Sequence, residues 1–208
     1  STIVFANHRD SVQRIGDFLT ERGFVVSIFH GGFDQQQREA ALYKFSNGSA
    51  NVMVCTDLAS RGLDIDNIAN VVHYHLPETP EAYVHRTGRT ARWNAEGNSV
   101  FLLGPTETLP TYVEEAATLT LPEHLSQPAL PRMCTIYIGK GKKDKISKGD
   151  IMGFLCKKGN LQKEDIGKID VKERYAYVAV TTDKVAKLLK TVKNEKIKGL
   201  KTLFQLIK

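Results

Sequence analysis

Through the first hundred residues, short β-branched runs alternate with stretches whose apolar residues recur three and four apart. Few folds admit that alternation, because each run must lie in a sheet and each periodic stretch must cover it as a helix. Strands are predicted at Thr2–Ala6, Val25–Phe29, Asn51–Thr56, Val71–Tyr74 and Ser99–Leu103. Helices are predicted from Asp10 or Ser11, either of which can cap, to Glu21, near Gln36–Phe45, and near Pro80–Thr90. In the first helix Val12, Ile15, Phe18 and Leu19 are assigned to one face. The expectation is an open α/β domain with a mostly parallel sheet. Residue 1 already lies in a strand pattern without a lead-in, so the chain reads as part of something longer.

The pattern breaks between Leu121 and Pro131, where Pro122, Pro128 and Pro131 stand among Ser, Gln and His. Such a stretch forms neither a helix nor a central strand. Beyond it the order becomes strand Thr135–Ile138, helix Asp150–Cys156, strands Ile166–Val171 and Tyr175–Thr181, helix Asp183–Lys193 and strand Leu203–Ile207. That βαββαβ order predicts a small α+β ferredoxin-like sandwich. The expected division is a first domain over 1–121, a linker over 122–132 and a second domain over 133–208.

Charge divides at the same place. Residues 1–131 carry 9 Lys and Arg against 15 Asp and Glu, net −6, whereas residues 132–208 carry 20 against 8, net +12. Net +12 on so short a segment attracts polyanions, with nucleic acid the first partner to consider and an acidic membrane face the second; a plain solubilising lysine face is the alternative. No apolar run approaches the length of a membrane span, and no leader pattern is present. The three cysteines, Cys55, Cys134 and Cys156, lack metal-ligand or disulfide spacing, so no metal site is expected and a reducing cytoplasm fits. Nothing reads as a coiled coil or dimer seam, so a monomer is assumed.

Two segments of the first domain carry chemistry. Thr56-Asp57-Leu58-Ala59-Ser60-Arg61-Gly62-Leu63-Asp64 follows a buried strand and loads its carboxyl end with polar groups, where open α/β sheets bind ligands. Tyr83-Val84-His85-Arg86-Thr87-Gly88-Arg89-Thr90-Ala91-Arg92 sets arginines three apart, roughly in line on a helical backbone. Such a row suits phosphate, since each guanidinium keeps its charge and offers a planar fork of donors. A solvated arginine stripe with carboxylate partners is the other reading.

Together these segments resemble the fifth and sixth motifs of DEAD-box RNA helicases. Ile3-Val4-Phe5 is similar to the fourth motif of that family, and His30-Gly31-Gly32 with Gln35-Gln36-Gln37-Arg38 to its HG and Q-x-x-R pattern. The resemblance implies a second RecA-like domain in which Arg89 and Arg92 act on the ATP γ-phosphate as catalytic residues, Arg92 as the finger. It implies nucleotide contacts from Arg61 and Asp64, interdomain contacts from His85, Arg86 and Asp57, and a grip on the RNA backbone by Gly31, Gly32, Arg38 and Thr56. Thr87 and Ala91 depart from the family pattern, and Trp93 has no assigned role. No phosphate-cradling G-x-x-x-x-G-K-[ST] loop and no DEAD tetrapeptide occur, so ATP with Mg²⁺ would be completed by a first RecA-like domain outside this chain. The chain alone is expected to be inactive as an ATPase.

In the second domain, Tyr175 and Tyr177 share one face of a strand and Tyr137 lies on another, as in a sheet that stacks bases, although cross-strand packing explains them equally. The run Gly139–Gly153, with Lys140, Lys142 and Lys143, and Ile166-Gly167-Lys168-Ile169 resemble the RNA-binding domain of DbpA-type DEAD-box proteins. This implies a hairpin of large-subunit ribosomal RNA as partner, remodelled during ribosome assembly; whether the lysine loop or the tyrosine face holds it stays open. The overall expectation is a RecA-like parallel-sheet domain followed by an RNA recognition motif domain. A non-enzymatic RNA-binding adaptor and a DNA translocase are the competing functions.

Overall fold

The computed structural model of the chain describes residues 1–57, 68–89 and 97–207. They form two compact units, Ser1–Leu42 with Asn51–Leu130, and Tyr43–Ala50 with Pro131–Lys208. Between residues 102 and 132 no helix or strand forms, as the prolines dictate.

The first sheet contains β1 (Thr2–Phe5), β2 (Val26–Phe29), β3 (Val52–Cys55), β4 (Asn70–His73) and β5 (Asn98–Phe101) in the order β2-β3-β1-β4-β5, all parallel. β1 lies at the centre, and its Ile3, Val4 and Phe5 are all buried. Both faces of such a strand are covered, so it reads as an unbroken apolar run. α1 (Arg9–Glu21), α2 (Gln35–Ser46) and α3 (Pro80–Thr87) are its described helices.

α1 corrects two details. It starts at Arg9, with His8 at the cap position making no side-chain capping bond, so neither Asp10 nor Ser11 caps it. Phe18 is 50% exposed, under the Arg22 guanidinium, 3.4 Å from its ring centre. At 100° per residue Val12, Ile15, Gly16 and Leu19 cluster, and Phe18 falls about 110° from their centre. Gly16 takes the core position because a Cβ there would stand 2.4 Å from the Ile28 side chain.

The second unit has an antiparallel sheet in the order β11-β6-β8-β7, from β6 (Met133–Ile138), β7 (Ile166–Val171), β8 (Ala176–Thr181) and β11 (Phe204–Leu206). Helices α4 (Lys148–Lys157) and α5 (Thr182–Val192) cover one face. Ile136, Ile138, Val178 and Val180 point into that core with Ile151, Leu155 and Leu188, so Tyr137 and Tyr177 occupy the opposite face. This is the predicted βαββαβ sandwich. It carries one addition, a hairpin of β9 (Lys196–Ile197) and β10 (Leu200–Lys201) ahead of the last strand. Its two-residue turn, Lys198-Gly199, has positive φ at both positions, 49° and 79°, the type I′ geometry that suits strand twist.

Candidate functional site

β1, β3 and β4 all end at one edge of the first sheet, and the residues just beyond them carry polar side chains toward α3. Thr79 caps α3 by accepting from the Ala82 amide, with Pro80 at the first helical position. The short helix then turns Arg86 inward, where it is 1% exposed. Every N–H of its guanidinium has a partner. Nε and Nη2 each donate to one oxygen of Asp57 at 2.6 Å, and Nη2 also donates to Asn7 Oδ1 at 2.9 Å. Nη1 donates to the His75 carbonyl at 2.8 Å and faces His73 Nδ1 at 3.4 Å. One side chain thereby ties the ends of three strands together.

Arg86 is engaged inside the first unit. Its donors are consumed within the unit, and it holds the Asp57 carboxylate, which keeps a side-chain exposure of 32%. His85, one residue earlier, is exposed.

His73 extends the network. Its ring stacks on Phe101 at 4.4 Å and its Nε2 lies 3.0 Å from Ser99 Oγ. A neutral ring with the proton on Nε2 satisfies both neighbours, accepting from Arg86 and donating to Ser99. Burial, and then the Arg86 charge, lower its pKa from 6.5 to about 4. The folded state thus binds fewer protons than the unfolded chain between these values, and stability rises with pH there. The contribution is present above pH 6.5 and is lost as pH falls toward 4, about 3–3.5 kcal/mol in all at about 1.4 kcal/mol per pH unit. Urea midpoints at pH 7 and 4.5 should differ more for the native chain than for His73→Gln. His30 and His75 are also lowered by burial, which is why the difference between the two proteins is the quantity to read.

At the end of β2, His30 is buried, accepts from the Gly32 amide at 3.1 Å, and packs on Phe33. Gly31 and Gly32 are exposed beside it. A Cβ on Gly32 would stand 3.1 Å from the His30 ring and 3.6 Å from Arg9 Nη1, so Arg9 borders the same ledge. Arg38 donates to Gln35 at 3.2 Å, and its buried Nε has no hydrogen-bond partner among the described residues. Thr56 is half-buried directly after β3. Arg89 follows α3 half-buried, its amide on the Arg86 carbonyl and its own carbonyl accepting from Ile68. Arg61, Asp64 and Arg92 lie outside the described residues, as does Trp93. Sequence reasoning missed Asn7, Arg9, His73 and His75 as site residues, although Asn7, Arg9 and His75 follow strands ending at this edge and were open to the argument applied to Asp57.

In the second unit the loop from β6 to α4 is built from short bonds. Lys140 Nζ and the Gly141 amide both donate to Asp144, at 2.9 and 3.1 Å, holding its carboxyl below the usual range. The Lys142 and Lys143 amides donate to the carbonyls of Lys172 and Glu173 in the β7–β8 turn, each at 2.9 Å. Lys142 and Lys143 stay exposed, while Lys140 is half-buried and paired. Ser147 and Asp150 form a reciprocal cap on α4. The rings of Tyr137, Tyr175 and Tyr177 cluster with centroids 5.4–6.0 Å apart. Tyr177 is enclosed, at 1% exposure. Tyr137 and Tyr175 are half-buried and present the accessible aromatic edge.

Residues 1–94 match the model of the helicase conserved C-terminal domain, and residues 135–205 match that of the DbpA RNA binding domain. The ATP-dependent RNA helicase DbpA of Escherichia coli K12 is 37% identical, aligning with 100% of this chain and 47% of the relative. That of Bacillus subtilis 168 is 30% identical over 96% of this chain and 48% of the relative. The ATP-dependent RNA helicase mak5 of Schizosaccharomyces pombe is 46% identical over 51% of this chain and 16% of the relative. The chain spans about half the length of these bacterial relatives. With both domain matches in order and bacterial relatives aligned along its length, the chain belongs to the DEAD-box RNA helicases, of the DbpA type, as a helicase C-terminal domain followed by an RNA-binding domain.

Proposed function

We propose that this chain is the C-terminal part of an ATP-dependent RNA helicase that remodels structured RNA, with a large-subunit ribosomal hairpin as its anchor. The observation that carries the reading is the joining, in one chain, of a helicase C-terminal domain to a net +12 RNA-binding domain. The first unit supplies half of a composite site. Arg89 and Arg92 stabilise the transferring phosphoryl group, Arg61 and Asp64 hold the nucleotide, and Gly31, Gly32, Arg38 and Thr56 take the RNA backbone. Asp57 serves as a carboxylate positioned by Arg86 at the rim of that site. Mg²⁺ falls to residues outside this chain, which has no DEAD tetrapeptide to hold it.

In the second unit the exposed Lys142 and Lys143, with Tyr137 and Tyr175, read the hairpin. A specific anchor raises the effective concentration of a sequence-blind motor near one RNA region. The test is the affinity of the chain for a ribosomal hairpin and for an unrelated hairpin of equal length, each at two salt concentrations. A preference of at least about a hundredfold that survives added salt supports the anchor. Equal binding that collapses with salt overturns it and leaves a phosphate grip alone. The same preparation should turn over no ATP with Mg²⁺.

A further inference from the structure

The lysines of the second unit do not all belong to the loop after β6. We propose that α5, which lies on the sheet face opposite the tyrosines, and the β9–β10 hairpin that follows it form a further grip for the phosphate backbone of a paired RNA segment, blind to sequence. The proposal rests on the reading that this domain binds RNA, and extends it to a surface that reading does not use.

The placement follows from the layers of the fold. Val185, Leu188 and Val192 bury one stripe of α5 against the sheet face opposite Tyr137. The outward face then presents Lys187 and Lys190 one helical step of about 4.5 Å apart. Lys193 follows the helix, and the hairpin adds Lys196 and Lys201, all exposed. The nearby acids are engaged with other lysines, Asp183 with Lys184 at 3.7 Å, Glu195 with Lys158 at 3.5 Å and Asp150 with Lys198 at 3.4 Å. Among the described residues no carboxylate reaches any of these five lysines.

The hairpin gives the independent sign of an anion. Lys196 and Lys201 are directly paired across it, an arrangement in which two like charges repel. A well-formed I′ turn holds them there, with Lys198 tied down to the Lys145 carbonyl at 2.9 Å. A phosphate seated between the two ammonium groups turns that repulsion into attraction. Backbone binding fits the residue type as well. Lysine is a flexible point charge that takes a phosphate without demanding a fixed geometry, and it is depleted at protein–protein interfaces. The outward face of α5 also carries Ala186 and Thr191 in place of the large apolar anchors a protein partner would need.

The experiment uses the full chain and a blunt, fully paired RNA duplex without a loop, alongside the two hairpins above. One variant combines Lys190→Gln, Lys196→Gln and Lys201→Gln, and a control of equal charge combines Lys148→Gln, Lys157→Gln and Lys163→Gln. Each lost phosphate contact should lower the salt slope of log affinity by about 0.9. The strip variant is therefore expected to bind the duplex about tenfold or more weakly at low salt, with a slope shallower by roughly 2–3. Its ratio of hairpin affinities should stay unchanged. An unaltered slope, or an equal loss in the control, overturns the proposal. If the unmodified chain bound no RNA, the function proposed above would fail with it; if only the strip variant were neutral, this inference alone would fail. Unfolding midpoints of both variants within a degree of the parent establish that the fold is intact.

Discussion

Replacing Arg86 by alanine is expected to cost the first unit about 3–5 kcal/mol, the range seen when one partner of a buried ion pair is removed. The guanidinium satisfies both Asp57 oxygens, Asn7 Oδ1, the His75 carbonyl and His73 Nδ1 at once. Its loss leaves a partly buried carboxylate and three further acceptors without their donor, each carrying a desolvation penalty. Lysine in its place keeps the charge but offers a point ammonium, which cannot span Asp57 and also reach the β1 and β4 loops. Arg86→Lys should therefore recover less than half of the loss. Urea unfolding of the full chain, read separately for the two units, checks this. The transition of the first unit should move and that of the second stay; a first-unit midpoint unchanged in Arg86→Ala would remove the central role given to this network. Because Arg86 acts through Asp57, the conservative lysine variant should also be impaired in RNA-stimulated function of any reconstituted enzyme, more than its residual stability explains.

That network also shows where reading the sequence stops. The parallel sheet was legible because each apolar run sits between polar turns, and the order of runs and periodic stretches leaves little choice of architecture. Arg86, Arg89 and Arg92 looked like one row because spacing reports direction only along a helix. α3 ends at Thr87, and the direction of Arg86 was set by Asp57, 29 residues away, and Asn7, 79 residues away. No local pattern announces such a partner. Tyr177 makes the same point in the sheet: alternation fixes the face a side chain occupies, and packing decides whether that face is open. The Lys198-Gly199 hairpin was missed for a different reason, since its strands are two residues each and too short for a period to register. Phe18 failed by its angle on α1, a quantity that was available from the sequence.

The second large effect is expected at Gly141. Its backbone is extended rather than left-handed, with φ −143° and ψ −156°, so the requirement is for space and not for unusual torsion. A Cβ there would stand 2.4 Å from the Lys172 carbonyl oxygen, 2.6 Å from the Tyr175 amide nitrogen and 2.8 Å from the Arg174 carbonyl carbon. All three are backbone atoms that cannot swing aside as a side chain can. Relief requires the loop to lift from the β7–β8 turn, which breaks the Lys142 and Lys143 amide bonds to Lys172 and Glu173. Two such bonds at about 1 kcal/mol each, with overpacking of about 1–3 kcal/mol, make Gly141→Ala destabilising by about 3–5 kcal/mol. The same movement displaces the ammonium groups of Lys142 and Lys143, so hairpin preference should fall at least about tenfold while duplex binding by the α5 strip persists. Gly149→Ala is the matched control, because a Cβ there meets only Ser147 Oγ at an ordinary 3.7 Å. Thermal unfolding and hairpin binding of both variants decide the matter. If Gly141→Ala kept both its stability and its preference, the loop would be free to move, and the sequence-reading role would pass from Lys142 and Lys143 to the tyrosine edge.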